Sequence, residues 1–357
     1  MIDRDLGRAA TTDSPNTHIE ELTMSRILVT GSAGFIGYHI SRELLNLDHE
    51  VLGLDAITNY YDPKLKHSRL AILHGYEKFS QHIGRVEEMD SYFSVVEDFD
   101  PQVVIHLAAQ AGVRYSIENP AEYLSSNVDG TRAIMELSRR VRPKHVLIAS
   151  TSSVYGGNET LPFAETHATR SPLSLYAATK IAAESIAHSY AHIWNLPTTC
   201  FRFFTVYGPW GRPDMALFKF VKAVKSDTPI DIYGEGAMSR DFTYIADLTA
   251  SIVRLIDLPP GDISRDPAPQ TLSPVAPFRI VNAGGGNPVP LMQFIAEIES
   301  ALGTEAKKNF LPMQPGDVTA TLADTTALQA LIGDLQYTPI SVGVREFVEW
   351  HDGYYGS

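Results

Sequence analysis

The chain alternates between short runs of β-branched residues and longer amphipathic stretches. A run such as Arg26–Thr30 has the length of a buried strand, whereas the stretches between the runs carry apolar residues at helical spacing. This alternation is typical of βαβ units, in which helices cover a parallel sheet. The other predicted strands are Glu50–Asp55, Gln102–Leu107, Lys144–Ser150, Leu196–Arg202 and Phe278–Asn282. The predicted helices are Phe35–Leu47, Asp90–Asp98, Pro120–Val141 and Leu173–Trp194.

The alternation stops near residue 205, and this change predicts how the chain is divided. Residues 24–204 are predicted to form a doubly wound Rossmann-type α/β domain. Residues 205–357 are predicted to form mostly a smaller C-terminal α/β cap that binds substrate, with about 240–283 returning to the Rossmann sheet. Residues 1–23 are polar and lack the apolar run of a signal peptide, so we expect a disordered tail. Pro259–Pro277 contains six prolines and is predicted to be a surface loop.

Composition narrows the class of protein. The 357 residues are 44% hydrophobic and 20% charged, as expected of a globular protein, and no stretch is apolar for the length of a membrane span. The net charge of −13 argues against a general nucleic-acid binder. Cys200 is the single cysteine, which excludes an internal disulfide and favours a reducing, cytoplasmic location. His188 and His192 lack the glutamate of an H-E-x-x-H motif, and we expect no metal site.

A glycine-rich loop joins the first predicted strand to the first predicted helix. Gly31, Gly34 and Gly37 stand there in a G-x-x-G-x-x-G pattern. In such loops the first glycine permits a tight turn, the second lets the backbone approach a pyrophosphate, and the third lets helix and strand pack closely. The N-terminus of the following helix offers free N–H groups to the phosphates. The pattern therefore predicts a dinucleotide-binding loop.

The choice of dinucleotide depends on Asp55, which ends the second predicted strand. A carboxylate at this place can accept hydrogen bonds from both ribose hydroxyls of the adenosine, and it repels a 2′-phosphate. The sequence therefore favours NAD over NADP.

A tyrosine and a lysine one helical turn apart are the main candidates for chemistry. Tyr176 and Lys180 are spaced i and i+4 in a predicted helix, so that they lie on one face. The pKa of a free tyrosine is about 10, and a neighbouring ammonium, together with an oxidised nicotinamide ring, favours the phenolate and lowers this pKa. We therefore expect Tyr176 to act as a base toward a substrate hydroxyl.

Small hydroxyl residues follow the predicted strand Lys144–Ser150. Thr151, Ser152 and Ser153 stand where open α/β sheets bind their ligands, at the carboxyl end of a strand. We expect a hydroxyl there to hydrogen-bond the reacting oxygen beside Tyr176.

Longer motifs carry a resemblance to a known family over Met24 to about Tyr354. Gly31–Gly37 and SLYAATK at Ser174–Lys180 occur across the superfamily. The other motifs are NYYDP at Asn59–Pro63, HLAAQAGVRYS at His106–Ser116, RFFTVYGPWGRPDMALF at Arg202–Phe218, RDFTYI at Arg240–Ile245 and LPMQPGD at Leu311–Asp317. On these residues the chain resembles the extended short-chain dehydrogenase/reductase family. Within its NAD-dependent epimerase/dehydratase group, the chain is most similar to nucleotide-sugar 4-epimerases that act on UDP-glucuronate.

The resemblance implies roles for particular residues. Tyr176, Lys180 and Thr151 would be catalytic, and NAD would stay tightly bound and be recycled. The residues implied to bind NAD are Gly31, Gly34, Phe35, Ile36, Gly37, Asp55, Asn59, Val86, Leu107, Ala108, Ala109, Tyr176 and Lys180. The residues implied to bind the UDP-sugar substrate are Arg114, Thr151, Ser152, Ser153, Thr205, Arg212, Arg240 and Asp317. The family also implies a homodimer formed through the helices Pro120–Val141 and Leu173–Trp194.

The activity implied by the resemblance is C4 epimerisation of UDP-glucuronate to UDP-galacturonate. It would proceed by transient oxidation to a 4-keto sugar and non-stereospecific re-reduction, with no decarboxylation. A 4-keto sugar with a C5 carboxylate is a β-keto acid, which loses carbon dioxide readily. The alternatives are therefore a UDP-uronate decarboxylase, or an epimerase for a neutral or N-acetylated UDP-sugar.

One position departs from the family pattern. Arg85 stands where related sequences carry an aspartate that contacts adenine. The sequence leaves open how adenine is held, and we expect the backbone of Val86 to contribute.

Overall fold

The computed structural model describes residues 24–261, 264–314 and 316–356. The predicted tail over residues 1–23 lies outside these residues. The strands are β1 (Arg26–Thr30), β2 (Glu50–Asp55), β3 (Phe79–Ile83), β4 (Val103–His106), β5 (His145–Thr151), β6 (Thr198–Phe203), β7 (Thr205–Tyr207), β8 (Ile230–Tyr233), β9 (Ser239–Tyr244), β10 (Phe278–Ala283), β11 (Pro288–Pro290) and β12 (Lys308–Leu311). The helices are α1 (Phe35–Asn46), α2 (Pro63–Leu73), α3 (Phe93–Phe99), α4 (Tyr115–Glu118), α5 (Pro120–Tyr123), α6 (Gly130–Val141), α7 (Leu175–Trp194), α8 (Ala216–Lys225), α9 (Ile245–Leu255), α10 (Leu291–Leu302), α11 (Thr326–Ile332) and α12 (Ile340–Tyr355).

A parallel sheet forms the centre of the fold. Seven of the strands in the described ranges pair in the order β10-β6-β5-β4-β1-β2-β3. Ile27, Val104 and Ile148 are buried, as expected for a parallel sheet covered by helices on both faces. The strand order reverses between β1 and β4, and ligands of open α/β sheets bind at such a point, beyond the carboxyl ends of the strands. The predicted Rossmann-type fold class is confirmed.

The chain beyond β6 forms smaller sheets and then returns to the large one. Among the described strands, β11, β9 and β7 form one sheet, and β12 pairs with β8. Phe218 of α8, Phe294 of α10 and Phe347 of α12 are buried in the core around them. α9 packs on α1, and β10 pairs with β6 at the edge of the central sheet. No helix in the described ranges combines the length and apolar character needed to cross a bilayer.

The chain is helical throughout the predicted helix Pro120–Val141, but the middle of this helix is wider than an α-helix. A π-helical segment, Leu124–Asp129, separates α5 from α6. Asn127 in this segment accepts a hydrogen bond from the backbone N–H of Gln110 at 2.8 Å, and its amide donates to Thr179 Oγ1 on α7 at 3.1 Å. These bonds hold the widened turn in place, and π segments often occur at functional sites.

The start of α7 also differs from the prediction. The helix begins at Leu175 rather than Leu173, because the hydroxyl of Ser174 accepts a hydrogen bond from the N–H of Ala177 at 3.1 Å and so caps the helix. The cap fixes where the first turn lies, and Tyr176 stands in that turn.

Two elements are not predicted by the hydrophobic pattern. In α2 the polar residues Lys66 and Arg69 are buried, so the helix has no clear apolar stripe. β3 has a single buried residue, Phe79, and its other positions are partly or fully exposed. The helix predicted over Asp90–Asp98 begins as a 3₁₀ turn, and α3 itself starts at Phe93.

The prediction that Pro259–Pro277 is a surface loop is wrong for part of the segment. Ala268, Thr271 and Leu272 are buried. Asp266 forms an ion pair with Arg279 of β10, and both side chains are buried. Since a buried arginine needs a partner, this part of the loop is fixed to the edge of the sheet.

A buried arginine joins the glycine-rich loop to the second half of the chain. Arg69 of α2 is fully buried, and it donates to the carbonyl of Ala33 at 2.8 Å and to that of Trp210 at 2.5 Å. His39 of α1 hydrogen-bonds the carbonyl of Pro209 at 2.9 Å. Burial lowers the pKa of His39 to about 3, so that it is neutral. The segment before Arg212 is therefore held beside the glycine loop.

A buried carboxylate joins three further segments. The side chain of Asp241 in β9 accepts hydrogen bonds from the N–H groups of Gly285 at 2.8 Å, Gly286 at 3.0 Å and Ala323 at 2.9 Å. Burial raises the pKa of Asp241, and the three N–H donors oppose this rise. Arg240 precedes Asp241 in β9, so these hydrogen bonds also fix the backbone at Arg240.

We expect Asp241→Asn to lower the free energy of unfolding by about 2–4 kcal/mol, because the new amide cannot accept all three hydrogen bonds and carries no charge. Urea denaturation followed by circular dichroism measures the change. The control Asp98→Asn, at an exposed position of α3, is expected to change stability by less than about 0.5 kcal/mol. Equal effects of both substitutions would contradict the role given to Asp241.

Candidate active site

Two adjoining cavities lie at the carboxyl ends of the central strands in the described part of the chain. The larger cavity has a volume of about 550 Å³, and the smaller cavity has a volume of about 420 Å³. Tyr60, Gly112, Arg212 and Asp214 line both cavities. Two ligands bound in the two cavities would therefore meet beside these residues.

The glycine-rich loop borders the smaller cavity and has no room for side chains. Gly31 has a φ of +75°, and a Cβ there would lie 2.9 Å from the backbone nitrogen of Ala108. A Cβ on Gly34 would lie 2.9 Å from the carbonyl oxygen of Gly31, and a Cβ on Gly37 would overlap that oxygen. The start of α1 thus opens its backbone N–H groups to the cavity, which fits the pyrophosphate of a dinucleotide.

Asp55 is one of the residues that line the smaller cavity. Its carboxylate accepts hydrogen bonds from the N–H of Ala33 at 3.1 Å and from the N–H of Ile57 at 2.8 Å. A carboxylate has about four acceptor positions, so two remain for ribose hydroxyls. The arrangement fits NAD. The other predicted cofactor residues that line this cavity are Phe35, Ile36, Val86, Leu107, Ala108, Ala109, Tyr176 and Lys180.

The segment after β2 differs from the sequence prediction. Asn59 is exposed and does not line the cavity, whereas its neighbours Thr58 and Tyr60 do. Lys66, which the sequence analysis missed, lines the cavity and donates to the Thr58 carbonyl at 2.8 Å and to its hydroxyl at 3.0 Å. Burial lowers the pKa of Lys66, and the charge of Asp55 opposes this effect.

Arg85 is turned toward carboxylates at the rim of the smaller cavity. It donates to Glu87 at 2.5 Å and to Glu122 at 2.9 Å. The carbonyl of Val86 accepts a hydrogen bond from the hydroxyl of Tyr92 at 2.6 Å, which uses one of the two acceptor positions of this carbonyl. The contact between adenine and the Val86 backbone stays a prediction.

The predicted catalytic residues lie together on the wall of the smaller cavity. Thr151 ends β5, and α7 carries Tyr176 and Lys180 one turn apart. The Thr151 hydroxyl lies near enough to the phenol of Tyr176 to lower the pKa of that phenol. Lys180 is buried, whereas Tyr176 is half-buried and faces the cavity. A hydroxyl group of a ligand could therefore contact both the phenol and the threonine.

Burial shifts the pKa values of Tyr176 and Lys180. It raises the pKa of Tyr176, and the effects of the Thr151 side chain and of the charge of Arg212 offset the rise only in part. The prediction that Lys180, together with an oxidised nicotinamide ring, lowers the pKa of Tyr176 includes the bound cofactor and stays a prediction. Burial lowers the pKa of Lys180 to about 8, against the opposing effects of Cys200 and Glu184.

Arg212 lies where the two cavities meet. It donates to both carboxylate oxygens of Asp214, at 3.0 and 2.5 Å, and Asp214 also accepts from the hydroxyl of Tyr60 at 3.0 Å. Burial lowers the pKa of Arg212, but the attraction of Asp214 outweighs it, so the net shift is upward. The guanidinium therefore stays charged, and Tyr60 and Asp214 fix its position.

Four of the other residues predicted to bind substrate line the larger cavity. They are Arg114, Thr205, Arg240 and Asp317. Arg114 donates to Asp317 at 3.2 Å, and the charge of Asp317 opposes the burial that lowers the pKa of Arg240. Two cations and one carboxylate thus meet on one wall.

Ser152 and Ser153 belong to a 3₁₀ turn that follows Thr151, and neither lines a cavity. The N–H of Ser153 donates to the Thr151 hydroxyl at 3.2 Å, so this serine fixes the orientation of Thr151 in the structure.

Sequence reasoning gave no role to several residues that build the site. Tyr60 and Asp214 belong to the motifs NYYDP and GRPDM, and this membership was the available signal. Arg69 and Lys66 lie in α2, where no motif or hydrophobic pattern marks them. Their contacts are visible only in the folded chain.

A family model now adds to this geometry. The model of the NAD dependent epimerase/dehydratase family matches residues 27–264, which include the glycine loop, Thr151, Tyr176 and Lys180. The chain belongs to the NAD dependent epimerase/dehydratase family. The resemblance found in the sequence is confirmed, and the family name agrees with the fit of the smaller cavity to NAD.

Relatives within the epimerase/dehydratase family match most of the chain. A probable UDP-glucuronate 4-epimerase from Rhizobium meliloti is 53% identical over 92% of this chain and 98% of its own. UDP-glucuronate 4-epimerase 4 from Arabidopsis thaliana is 42% identical over 92% of this chain and 76% of the plant protein. The crystal structure of the Bacillus cereus UDP-glucuronic acid 4-epimerase with UDP-glucuronic acid and NAD has a TM-score of 0.83 at 31% identity, covering 92% of this chain and 100% of that one.

We expect Gly37→Ala to weaken NAD binding at least about tenfold, because the added methyl group overlaps the Gly31 carbonyl and forces the loop away from α1. Calorimetry on nucleotide-free protein measures the change. The control Gly353→Ala also places a methyl group in a helix, but nothing lies within 4 Å of it, and NAD affinity should not change. Unchanged affinity in Gly37→Ala would contradict the fit of the loop to the pyrophosphate.

Proposed function

We propose that the protein catalyses the NAD-dependent C4 epimerisation of UDP-glucuronate to UDP-galacturonate. The observation that carries this proposal is the meeting of the two cavities. The smaller one fits a dinucleotide and contains Thr151, Tyr176 and Lys180, and the larger one is lined by three arginines. The names of the Rhizobium, Arabidopsis and Bacillus relatives support the same activity.

The cofactor is held by the smaller cavity. The glycine loop at Gly31, Gly34 and Gly37 binds the pyrophosphate, and Asp55 binds the adenosine ribose. When bound, NAD supplies the oxidation and the re-reduction of the sugar at C4. Since the two changes cancel, no second redox substrate is needed and NAD remains with the protein.

Tyr176 removes the proton of the C4 hydroxyl and later returns it. Thr151 hydrogen-bonds the same oxygen and orients it toward the phenol. Because burial raises the pKa of Tyr176, the phenolate needs positive charge nearby. Arg212 lowers this pKa, and we assign the same effect to the ammonium of Lys180, one helical turn away. Proton transfer by a positioned side chain accelerates reactions by about 10²–10⁴-fold.

Arg212 and Thr205 bind the C5 carboxylate of the sugar. The arginine offers a planar fork of two N–H donors, and the threonine offers a hydroxyl. The carboxylate must be held, because the 4-keto intermediate loses carbon dioxide when the bond to the carboxylate aligns with the ketone π system. A fixed carboxylate therefore separates epimerisation from decarboxylation.

Arg114, Arg240 and Asp317 bind the uridine diphosphate. The two guanidinium groups neutralise the pyrophosphate, and the carboxylate accepts from a hydroxyl group of the nucleoside. The protein carries a net charge of −13, so these local cations must overcome an unfavourable overall field.

The test is incubation of the purified protein with UDP-glucuronate without added nucleotide, followed by separation and mass analysis of the sugars. Conversion to UDP-galacturonate of unchanged mass supports the proposal. Loss of one carbon dioxide would assign a decarboxylase instead. Conversion of only neutral or N-acetylated UDP-sugars would assign a related epimerase, and no conversion of any of them would contradict the proposal.

We expect Tyr176→Phe to reduce turnover by at least about 100-fold, because the variant has no group to take the C4 proton. NAD affinity should change less than about threefold, because the cofactor contacts the rest of the cavity. Initial rates and calorimetry provide the two measurements. Turnover close to that of the unchanged protein would disprove the role of Tyr176.

We expect Arg212→Met to lower kcat/KM for UDP-glucuronate at least about 30-fold, since a buried charge pair with the substrate is lost. Binding of UDP-glucose, which lacks the carboxylate, should change much less. The control Arg345→Met removes an exposed arginine of α12 and should leave both values unchanged. A similar fold loss in both measurements would show that Arg212 does not bind the carboxylate of the sugar.

We also infer that the enzyme is cytoplasmic and forms a homodimer through the predicted helices Pro120–Val141, which comprises α5, the π segment and α6, and Leu173–Trp194, which contains α7. These helices pack on each other, and Ile117, Leu124 and Ile193 are exposed apolar residues on α4, the π segment and α7. Sedimentation velocity should give the mass of two chains. A monomer at micromolar concentration would contradict the inference.

A further inference from the structure

A buried ion pair lies directly behind the catalytic residues. Arg202 of β6 donates to the two carboxylate oxygens of Glu184 on α7, at 3.0 and 2.9 Å. The side chains are only 3% and 8% exposed. The hydroxyl of Ser150 on β5 also donates to Glu184, at 2.5 Å. Glu184 therefore connects three elements of the Rossmann domain.

Each of these contacts is one step from the catalytic residues. Glu184 follows Lys180 by four residues on α7, so the two side chains lie on the same helix face. Ser150 precedes Thr151 in β5. The network thus fixes the position of α7 along β5. This position determines where Tyr176 lies relative to Thr151.

The charges around Lys180 point to an electrostatic contribution as well. On β6, burial raises the pKa of Cys200, so its thiol is neutral, and Arg202 is cationic. On β4, burial lowers the pKa of His106 to about 3, so this imidazole is neutral. Burial raises the pKa of Tyr176 on α7 itself. Cys200 and Glu184 both oppose the burial that lowers the pKa of Lys180. Because the thiol of Cys200 is neutral, Glu184 is the one of these neighbours that carries a negative charge.

We propose that Glu184 is a positioning residue, which holds α7 in register with β5 and keeps the ammonium of Lys180 charged inside the protein. The proposal rests on the function given above, because it assigns the charge of Lys180 to the reaction at Tyr176.

Arg202 has a separate part in this arrangement. An unpaired glutamate one turn from Lys180 would attract the ammonium and pull it out of the cavity. The bidentate bond to Arg202 and the bond from Ser150 occupy the carboxylate, so that Lys180 feels its charge without forming a direct ion pair. Arg202 is itself held by the ring of Tyr155, 4.8 Å below the guanidinium, and by the carbonyl of Glu165 at 3.2 Å.

The test is the pH dependence of kcat for Glu184→Gln. The amide keeps the size of the side chain and removes the charge, so the ammonium of Lys180 is lost at a lower pH. We expect the alkaline limb of the profile to move down by about one pH unit or more. At pH values below the alkaline limb, we expect kcat to fall by a smaller factor than it falls on the limb.

A matched control distinguishes this effect from loss of stability. Asp266→Asn also removes the carboxylate from a buried arginine, Arg279, but at the edge strand β10. It should lower the melting temperature and leave the alkaline limb where it is. Glu184→Asp keeps the charge and shortens the reach, so it should lower kcat with the limb near its original pH. If Glu184→Gln does not fold, Glu184→Asp decides: a displaced limb in that variant overturns the proposal.

A second readout does not depend on turnover. The rate at which acetic anhydride labels Lys180, followed by mass spectrometry against pH, gives the titration of its amine. A lower midpoint in Glu184→Gln than in the unchanged protein supports the proposal, even if UDP-glucuronate proves to be the wrong substrate. An equal midpoint, or a loss of kcat by the same factor at every pH, overturns it and leaves the proposed function standing.

Discussion

The packing of α7 against β5 and β6 is the constraint on which the rest of the site depends. It brings Tyr176 and Lys180 from a helix face to Thr151 at the end of a strand. The contact is made inside the protein, where electrostatic interactions are strong and an unpaired charge is costly. Two buried arginines near the reaction site therefore have carboxylate partners: Glu184 for Arg202, and Asp214 for Arg212.

The same constraint explains why the site is built from two halves of the chain. The Rossmann part supplies the phenol, the threonine, the dinucleotide cavity and Arg114, whereas the later part supplies Arg212 and Arg240, which complete the cavity for an anionic sugar. For the reaction to occur, side chains from both halves must lie within hydrogen-bond distance of the same bound sugar. Arg69 holds the two halves together, because it binds the glycine loop at Ala33 and the segment before Arg212 at Trp210.

Features that depend on local pattern could be predicted from the sequence, and features that depend on folding could not. The limits of β1 and β2 follow from short β-branched runs, and the pairing of Tyr176 with Lys180 follows from helical spacing. Arg69 could not be found in this way, because the carbonyl of Trp210 that it binds is 141 residues away. The π segment at Asn127 depends on contacts with Gln110 and Thr179 from elsewhere in the chain. The effect of burial, which raises the pKa of Tyr176, could not be predicted either, because helical spacing does not reveal how far a side chain is buried.

The central claim is that hydrogen leaves C4 of the sugar and returns to it within one closed site. The most direct measurement uses UDP-glucuronate with deuterium at C4 in ordinary water, with the product analysed by mass spectrometry and NMR. The account predicts UDP-galacturonate that retains the deuterium at C4. Loss of the label to water, or a product with one carbon fewer, would contradict it.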